Sequence, residues 1–135
     1  MLLLSLASLA LCACASDPAL RESRQLSLYR AHAGEPVDSI RYLGRVEQWT
    51  PLGDSALTLW TSPGRAYLLE LDGSCSGLDY TSAIALTHNT GRIYARFDKV
   101  LVQDRGMPGI PCRIRSIRPV DVAAYRQARR AAGER

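Results

Sequence analysis

Two cysteines in the body of the chain limit its fold more than any other feature. Cys75 ends the run Ala66-Tyr67-Leu68-Leu69-Glu70-Leu71-Asp72-Gly73-Ser74-Cys75, and Cys112 opens Cys112-Arg113-Ile114-Arg115-Ser116-Ile117. The first run is a dense apolar strand leaving through an Asp-Gly turn, and the second alternates with the period of a strand. If the two sulfurs join, strands distant in sequence are held together. Whether they join depends on the compartment.

The start of the chain addresses the compartment. Met1 to Leu11 is apolar, carries no charged side chain and is too short to span a bilayer. It has the character of the apolar region of a secretory signal. Leu11-Cys12-Ala13-Cys14 resembles a bacterial lipobox, with leucine three residues before Cys14 and a small residue just before it. Residues 1–14 are therefore expected to be a signal segment and Cys14 the lipidation site. Ala15 follows instead of an aspartate, which favours anchoring at the outer membrane, on the periplasmic side of the envelope. The alternative is cleavage after Ala15, giving a soluble periplasmic protein. In an exported chain, Cys75 and Cys112 are expected to pair, with two buried free thiols as the alternative.

The 135 residues suit one domain. Residues 15–36 read as a tether or short helix, with Asp17 as N-cap, Pro18 at the first helical position and Gly34 as a stop. Residues 37–132 read as a single β-rich domain ending in a helix. Alternation predicts strands over Ser39–Trp49, Ala56–Trp60, Ala66–Leu71, Ser82–Thr87, Arg92–Phe97 and Cys112–Ile117, with Asp98–Val102 as a continuation or a further strand. Leu68, Leu69 and Leu71 make the third strand apolar on both faces, hence central. Gln103–Pro111, with two glycines and two prolines, reads as a loop, and Pro119–Ala132 as a helix. The expected fold class is α+β: mainly antiparallel, five to seven strands, a curled sheet or partial barrel.

Several of these segments resemble a known family. They are Trp49, Leu59-Trp60-Thr61, the 66–71 strand, Cys75 with Leu78, Arg96-Phe97-Asp98-Lys99-Val100, and Pro111-Cys112-Arg113-Ile114 with Ile117-Arg118-Pro119-Val120-Asp121. Together they are similar to a family of small exported gammaproteobacterial proteins, many with lipobox-like starts, classed as a domain of unknown function. The resemblance covers Val37 to Tyr125. It implies an envelope location and a Cys75–Cys112 pair, and it carries no activity, cofactor or catalytic residue.

The residues themselves offer no catalytic set. Gly73-Ser74-Cys75-Ser76-Gly77 places a cysteine like the nucleophile of a strand-to-helix elbow, with His88 as base and Asp79 or Asp98 to orient it. The chain is short for such a fold, and pairing with Cys112 removes the thiolate. No His or Cys spacing suggests a metal site, and no cofactor is implied. Charge is +4 and almost wholly arginine, with Lys99 the lone lysine. No basic run is interleaved with aromatics, so nucleic acid is not an expected partner. Trp49, Trp60 and Tyr67, joined by Tyr94, are candidates for a ligand groove, and Arg113 and Arg115 for contact with an anionic envelope component. The expectation is a cell-envelope lipoprotein, a non-catalytic binding or structural module that meets the membrane through its anchor and an envelope protein or anionic component through its surface. Two alternatives are a small periplasmic hydrolase-like or thiol enzyme using Cys75 with His88, and a small-ligand carrier in a barrel interior.

Overall fold

The structure, a computed structural model, describes residues 17–104 and 107–133. Cys12, Cys14 and the lipobox-like segment lie outside these residues. Helix α1 spans Pro18–Ala31, with Asp17 as N-cap accepting from the Ala19 N–H at 3.0 Å. Eight strands follow: β1 Ser39–Arg41, β2 Gln48–Pro51, β3 Ala56–Ser62, β4 Arg65–Leu71, β5 Ile84–Leu86, β6 Arg92–Tyr94, β7 Lys99–Asp104 and β8 Met107–Val120. Helix α2, Val122–Ala131, closes the chain. Six strands form an antiparallel half-barrel in the order β2-β3-β4-β8-β7-β5, and β1 and β6 pair as a separate ribbon. The α+β class, the mainly antiparallel partial barrel, and a helix before and after it are as the sequence leads one to expect.

β4 lies inside the sheet, between β3 and β8. One face of the sheet carries Leu57, Leu59, Leu69, Leu71 and Ile117, covered by Ile40 and Ile93 of the β1–β6 ribbon and by Cys75 and Leu78. The other carries Ala56, Ala66 and Leu68, covered by Tyr29 of α1 and by Val122 and Tyr125 of α2. Each fully buried leucine on these faces stabilises the fold by roughly 1.5–3 kcal/mol. This is why the apolar 66–71 run occupies the centre.

β8 is the corner of the half-barrel. Its C-terminal half, Ile114–Val120, pairs with β4, and its N-terminal half, Met107–Arg113, pairs with β7. A strand that changes neighbour in this way turns a sheet corner. Three backbone hydrogen bonds tie the corner down: the Asp72 N–H donates to the Arg113 carbonyl (2.9 Å), the Arg96 N–H to the Ile114 carbonyl (2.6 Å), and the Ile114 N–H to the Asp98 carbonyl (2.9 Å). The Cys75–Cys112 disulfide joins the exit of β4 to this corner, with the Cα atoms 5.8 Å apart.

Several sequence expectations are corrected. Ser39–Trp49 is two strands, because Gly44 takes a left-handed φ of 74° and sends β1 to the ribbon and β2 to the sheet edge. His88-Asn89-Thr90-Gly91 forms a tight turn, with Asn89 and Arg92 exchanging hydrogen bonds of 2.9 and 3.0 Å. The strands on either side of it then diverge, β5 to β7 and β6 to β1. The expected loop over Gln103–Pro111 is largely strand. Pro111 stands opposite Leu101 at a position between hydrogen-bonded pairs, so its nitrogen points away from β7 and its missing N–H leaves no broken ladder. Gly109 lies so close to β7 that a Cβ there would sit 2.9 Å from the Leu101 Cβ. A register shift opposite Glu70/Leu71 makes Arg115 the extra residue of a bulge. Ile114 and Ile117 are therefore both buried, where strict alternation puts them on opposite faces. α2 starts at Val122, not Pro119. Pro119 pairs with Tyr67 in β8, and Asp121 caps the helix by accepting from the Ala124 N–H at 3.1 Å.

The segment between α1 and β1 runs along the free side of β8. The Gly34 N–H donates to the Pro119 carbonyl (2.7 Å) and the Val37 N–H to the Ile117 carbonyl (2.9 Å). Arg118 fastens it further by donating from Nε to the Gly34 carbonyl and from a terminal nitrogen to the Ala33 carbonyl. This covers backbone that would otherwise form an open edge.

Candidate functional site

A cleft of about 450 Å³ lies between the two helices and the β2–β3 edge of the sheet. α1 contributes Gln25 and Tyr29, four residues apart and so on one helix face. β2 and β3 contribute Gln48, Thr50 and Trp60, whose cross-strand register places them on the helix side of the sheet. α2 contributes Tyr125, Arg126 and Arg129, and Glu47 stands at the rim.

The aromatic rings give the cleft its shape. Tyr29 and Tyr125 stack with centroids 4.1 Å apart and planes 17° from parallel. The Arg126 guanidinium lies 5.6 Å from the centre of the Trp60 ring and donates to the Pro63 carbonyl at 2.6 Å. These contacts hold Arg126 over the indole, a geometry worth about 0.5–1 kcal/mol at an exposed site. Burial, and then the adjacent Tyr125 phenol, push the Tyr29 hydroxyl well above its ordinary pKa, while Thr58 and Trp60 pull weakly the other way. Thr58 Oγ1 is fully buried and close enough to exert this pull, yet it forms no hydrogen bond of standard geometry. Tyr29 is thus a neutral phenol through the physiological range. The cleft offers flat apolar faces, amides, a carboxylate and the Arg126 guanidinium. That combination suits a polar ligand with a planar or ring face and an anionic group.

The sequence candidates are divided by the sheet. Trp49, Leu59 and Tyr67 lie in one cross-strand row on the side of the larger apolar cluster, and Trp49 and Tyr67 pack against that cluster. Trp60 is on the opposite side and belongs to the cleft. The three rings therefore do not form one groove, because neighbouring strand residues face opposite ways. Tyr94 lies in the β1–β6 ribbon. Arg113 approaches Asp72 (4.0 Å), and Arg115 approaches Glu70 (4.0 Å), which Arg30 holds more closely (2.6 Å). Both candidate arginines thus stand beside acids of the protein's own surface. Cys75 is in a disulfide and presents no thiolate, and the His88 ring sits edge-on to Tyr42 at 5.1 Å. Asp98 accepts from the Thr87 hydroxyl (2.7 Å) and the Tyr94 N–H (2.6 Å), and Arg96 pairs instead with Asp38 (3.6 Å). Among the described residues no group of three His, Cys, Asp or Glu is placed to hold a metal ion. The concave face, where a carrier would hold its ligand, is filled by the leucines and isoleucines of the core.

Sequence reasoning named Trp60 and missed Tyr29, Tyr125 and Arg126. A signal was available. Each helix is thinly apolar and carries one Tyr-Arg pair, Tyr29-Arg30 and Tyr125-Arg126. An aromatic on an otherwise polar helix marks the point where that helix docks.

No curated protein and no solved structure matches the chain. One family match spans residues 1–135. With the half-barrel, its corner disulfide and the helix-lined cleft in view, the chain belongs to a family of unknown function (DUF6491).

Proposed function

We propose that the protein is a non-catalytic binding module of the bacterial cell envelope, anchored through a lipid on Cys14, and that it captures a polar, anionic envelope component in the cleft between α1, α2 and the β2–β3 edge. The observation that carries this reading is the cleft itself: the Tyr29–Tyr125 stack and Trp60 form its apolar walls, and Arg126 lies across the indole. Peptidoglycan fragments have the matching chemistry, since sugar rings stack on aromatic faces and peptide carboxylates pair with guanidinium groups. The disulfide supports an oxidising compartment.

Two measurements test the two halves of this proposal. A Trp49→Phe chain has Trp60 as its lone tryptophan. Its fluorescence should change saturably with soluble muropeptides, and Arg126→Glu should abolish the change while leaving the melting temperature within a few degrees. An unchanged signal with muropeptides would refute this ligand class. Separately, metabolic labelling with a radioactive fatty acid should mark the wild-type chain and not Cys14→Ala. A labelled Cys14→Ala chain, or an unlabelled wild type, would sink the anchor.

A further inference from the structure

A second cleft, also about 450 Å³, lies on the other side of the β3–β4 hairpin. It is lined by Arg41, Leu43, Arg45, Thr61, Ser62, Arg65 and Tyr67. Arg41 ends β1, Arg45 lies in the link to β2, and Arg65 opens β4, so the stretch from β1 toward β2 and the β3–β4 hairpin together bring three arginines to one place. No carboxylate lines it. Four arginines of the described surface stand beside acids. Arg30 and Arg115 share Glu70, Arg113 faces Asp72 and Arg96 faces Asp38. Among the described residues, Arg41, Arg45 and Arg65 have no such acid partner.

Three like charges held around one cleft repel one another, and a bound anion relieves that repulsion. Guanidinium groups select phosphate and carboxylate through paired N–H donors. The Tyr67, Thr61 and Ser62 hydroxyls add neutral donors suited to the same oxygens. One further residue narrows the ligand. Leu43 stands between Arg41 and Arg45 with 83% of its surface exposed, just before the left-handed turn at Gly44. An exposed leucine flanked by arginines has the composition of a contact with a lipid surface, where apolar groups enter the acyl boundary and arginines meet the headgroups.

We infer that Arg41, Arg45 and Arg65, with Tyr67, form a phosphate site that takes the headgroup of an anionic phospholipid while Leu43 inserts beside it. The inference stands apart from the helix-lined cleft, because the two sites share only Ser62 among their lining residues. It gives a chain near a membrane a preferred face toward that membrane.

The test is solution NMR on the full chain labelled with ¹⁵N and with ¹³C methyl groups. Three probes are titrated in parallel: dihexanoylphosphatidylglycerol, dihexanoylphosphatidylcholine and inorganic phosphate. Phosphatidylglycerol should shift the Nε–H signals of Arg41, Arg45 and Arg65 and the methyl signals of Leu43 together and saturably. Inorganic phosphate should shift the arginines and not Leu43, and phosphatidylcholine should bind more weakly than phosphatidylglycerol. Arg65→Glu should weaken phosphatidylglycerol binding by about tenfold or more, the loss expected for one charged hydrogen-bonding partner. Leu43→Ser should weaken phosphatidylglycerol without changing the response to phosphate. Gln25→Ala, in the other cleft and on helix α1, should leave all three titrations unchanged, which separates failure here from failure of the muropeptide reading. Arginine signals that respond to no phosphate probe would overturn the site. Equal responses to free phosphate and phosphatidylglycerol, with Leu43 silent, would overturn the lipid assignment.

Discussion

At the scale of single residues, Arg96 explains more than its surface position suggests. It has a φ of 70°, a left-handed conformation that costs a residue with a Cβ roughly 1–2 kcal/mol. The return is local and visible: its N–H reaches the Ile114 carbonyl at the corner of β8. The same twist interrupts the alternation read from Arg92 to Phe97. Ile93 and Ala95 are buried as their period predicts, but Phe97 is turned outward with 76% of its surface exposed. The ion pair from Arg96 to Asp38 is 3.6 Å long and highly exposed, so it contributes little. Backbone conformation, and not charge, should therefore govern substitution here. Arg96→Gly is expected to lie within about 0.5 kcal/mol of wild type, because relief of strain offsets the greater freedom of glycine in the unfolded chain. Arg96→Val is expected to lose about 1–2 kcal/mol, since a branched side chain fits the left-handed region poorly. Urea denaturation of the two variants decides it, and equal midpoints would show that the φ at 96 is not the controlling factor.

At the scale of elements, what the sequence conveys depends on how local the cause is. β3, β4 and the turn between them are legible because alternation, Pro63-Gly64 and the Asp72-Gly73 exit all act within a few residues. The cap of α1 is legible for the same reason. The N-terminal half of β8 is not, because its glycine and prolines are tolerated only through the one-sided pairing with β7 and the close approach to Leu101. The cleft is legible only in Trp60. Its other walls arise where two helices distant in sequence meet, and no local pattern encodes that meeting. The Tyr29–Tyr125 stack at that contact makes a testable link to pH. The folded state raises the Tyr29 pKa above its ordinary 10.0, so the proton is held more tightly in the folded chain. Its contribution to stability is complete below about pH 10 and is lost as pH rises from there toward the higher folded value. Wild type should therefore lose stability between about pH 9 and about pH 11 more steeply than Tyr29→Phe, which keeps the ring and removes the titrating group. Denaturant midpoints at the two pH values measure this, and parallel losses would mean that Tyr29 does not report on the helix contact.

At the scale of the molecule, the disulfide joins the two halves of the sheet. β2, β3, β4 and the C-terminal half of β8 make one half; β5, β7 and the N-terminal half of β8 make the other. The Cys75–Cys112 bond spans 37 residues of sequence and meets β8 next to the point where it changes neighbour. On the cysteine side, the Cys75 N–H donates to the Asp54 carbonyl (2.6 Å) and the Ser74 hydroxyl to the Asp54 carboxylate (2.8 Å), so the exit of β4 is already fastened to the turn before β3. The staple therefore links a rigid β3–β4 hairpin to the corner. A closed loop of this length restricts the unfolded chain enough to stabilise the fold by about 3–4 kcal/mol. The double variant Cys75→Ala/Cys112→Ala should lose about that much in urea unfolding, and reduced wild type should match it. The loss should also be uneven. β3 and β4 retain apolar packing on both faces, whereas β5 and β7 depend on the corner to stay in register with the rest. Amide hydrogen exchange in the double variant should speed up more in Ile84–Leu86 and Lys99–Asp104 than in Ala56–Ser62 and Arg65–Leu71. Uniform acceleration across all four strands would mean that the bond acts only on the unfolded chain. A gradient across the corner would show that it also holds the two halves of the native sheet together.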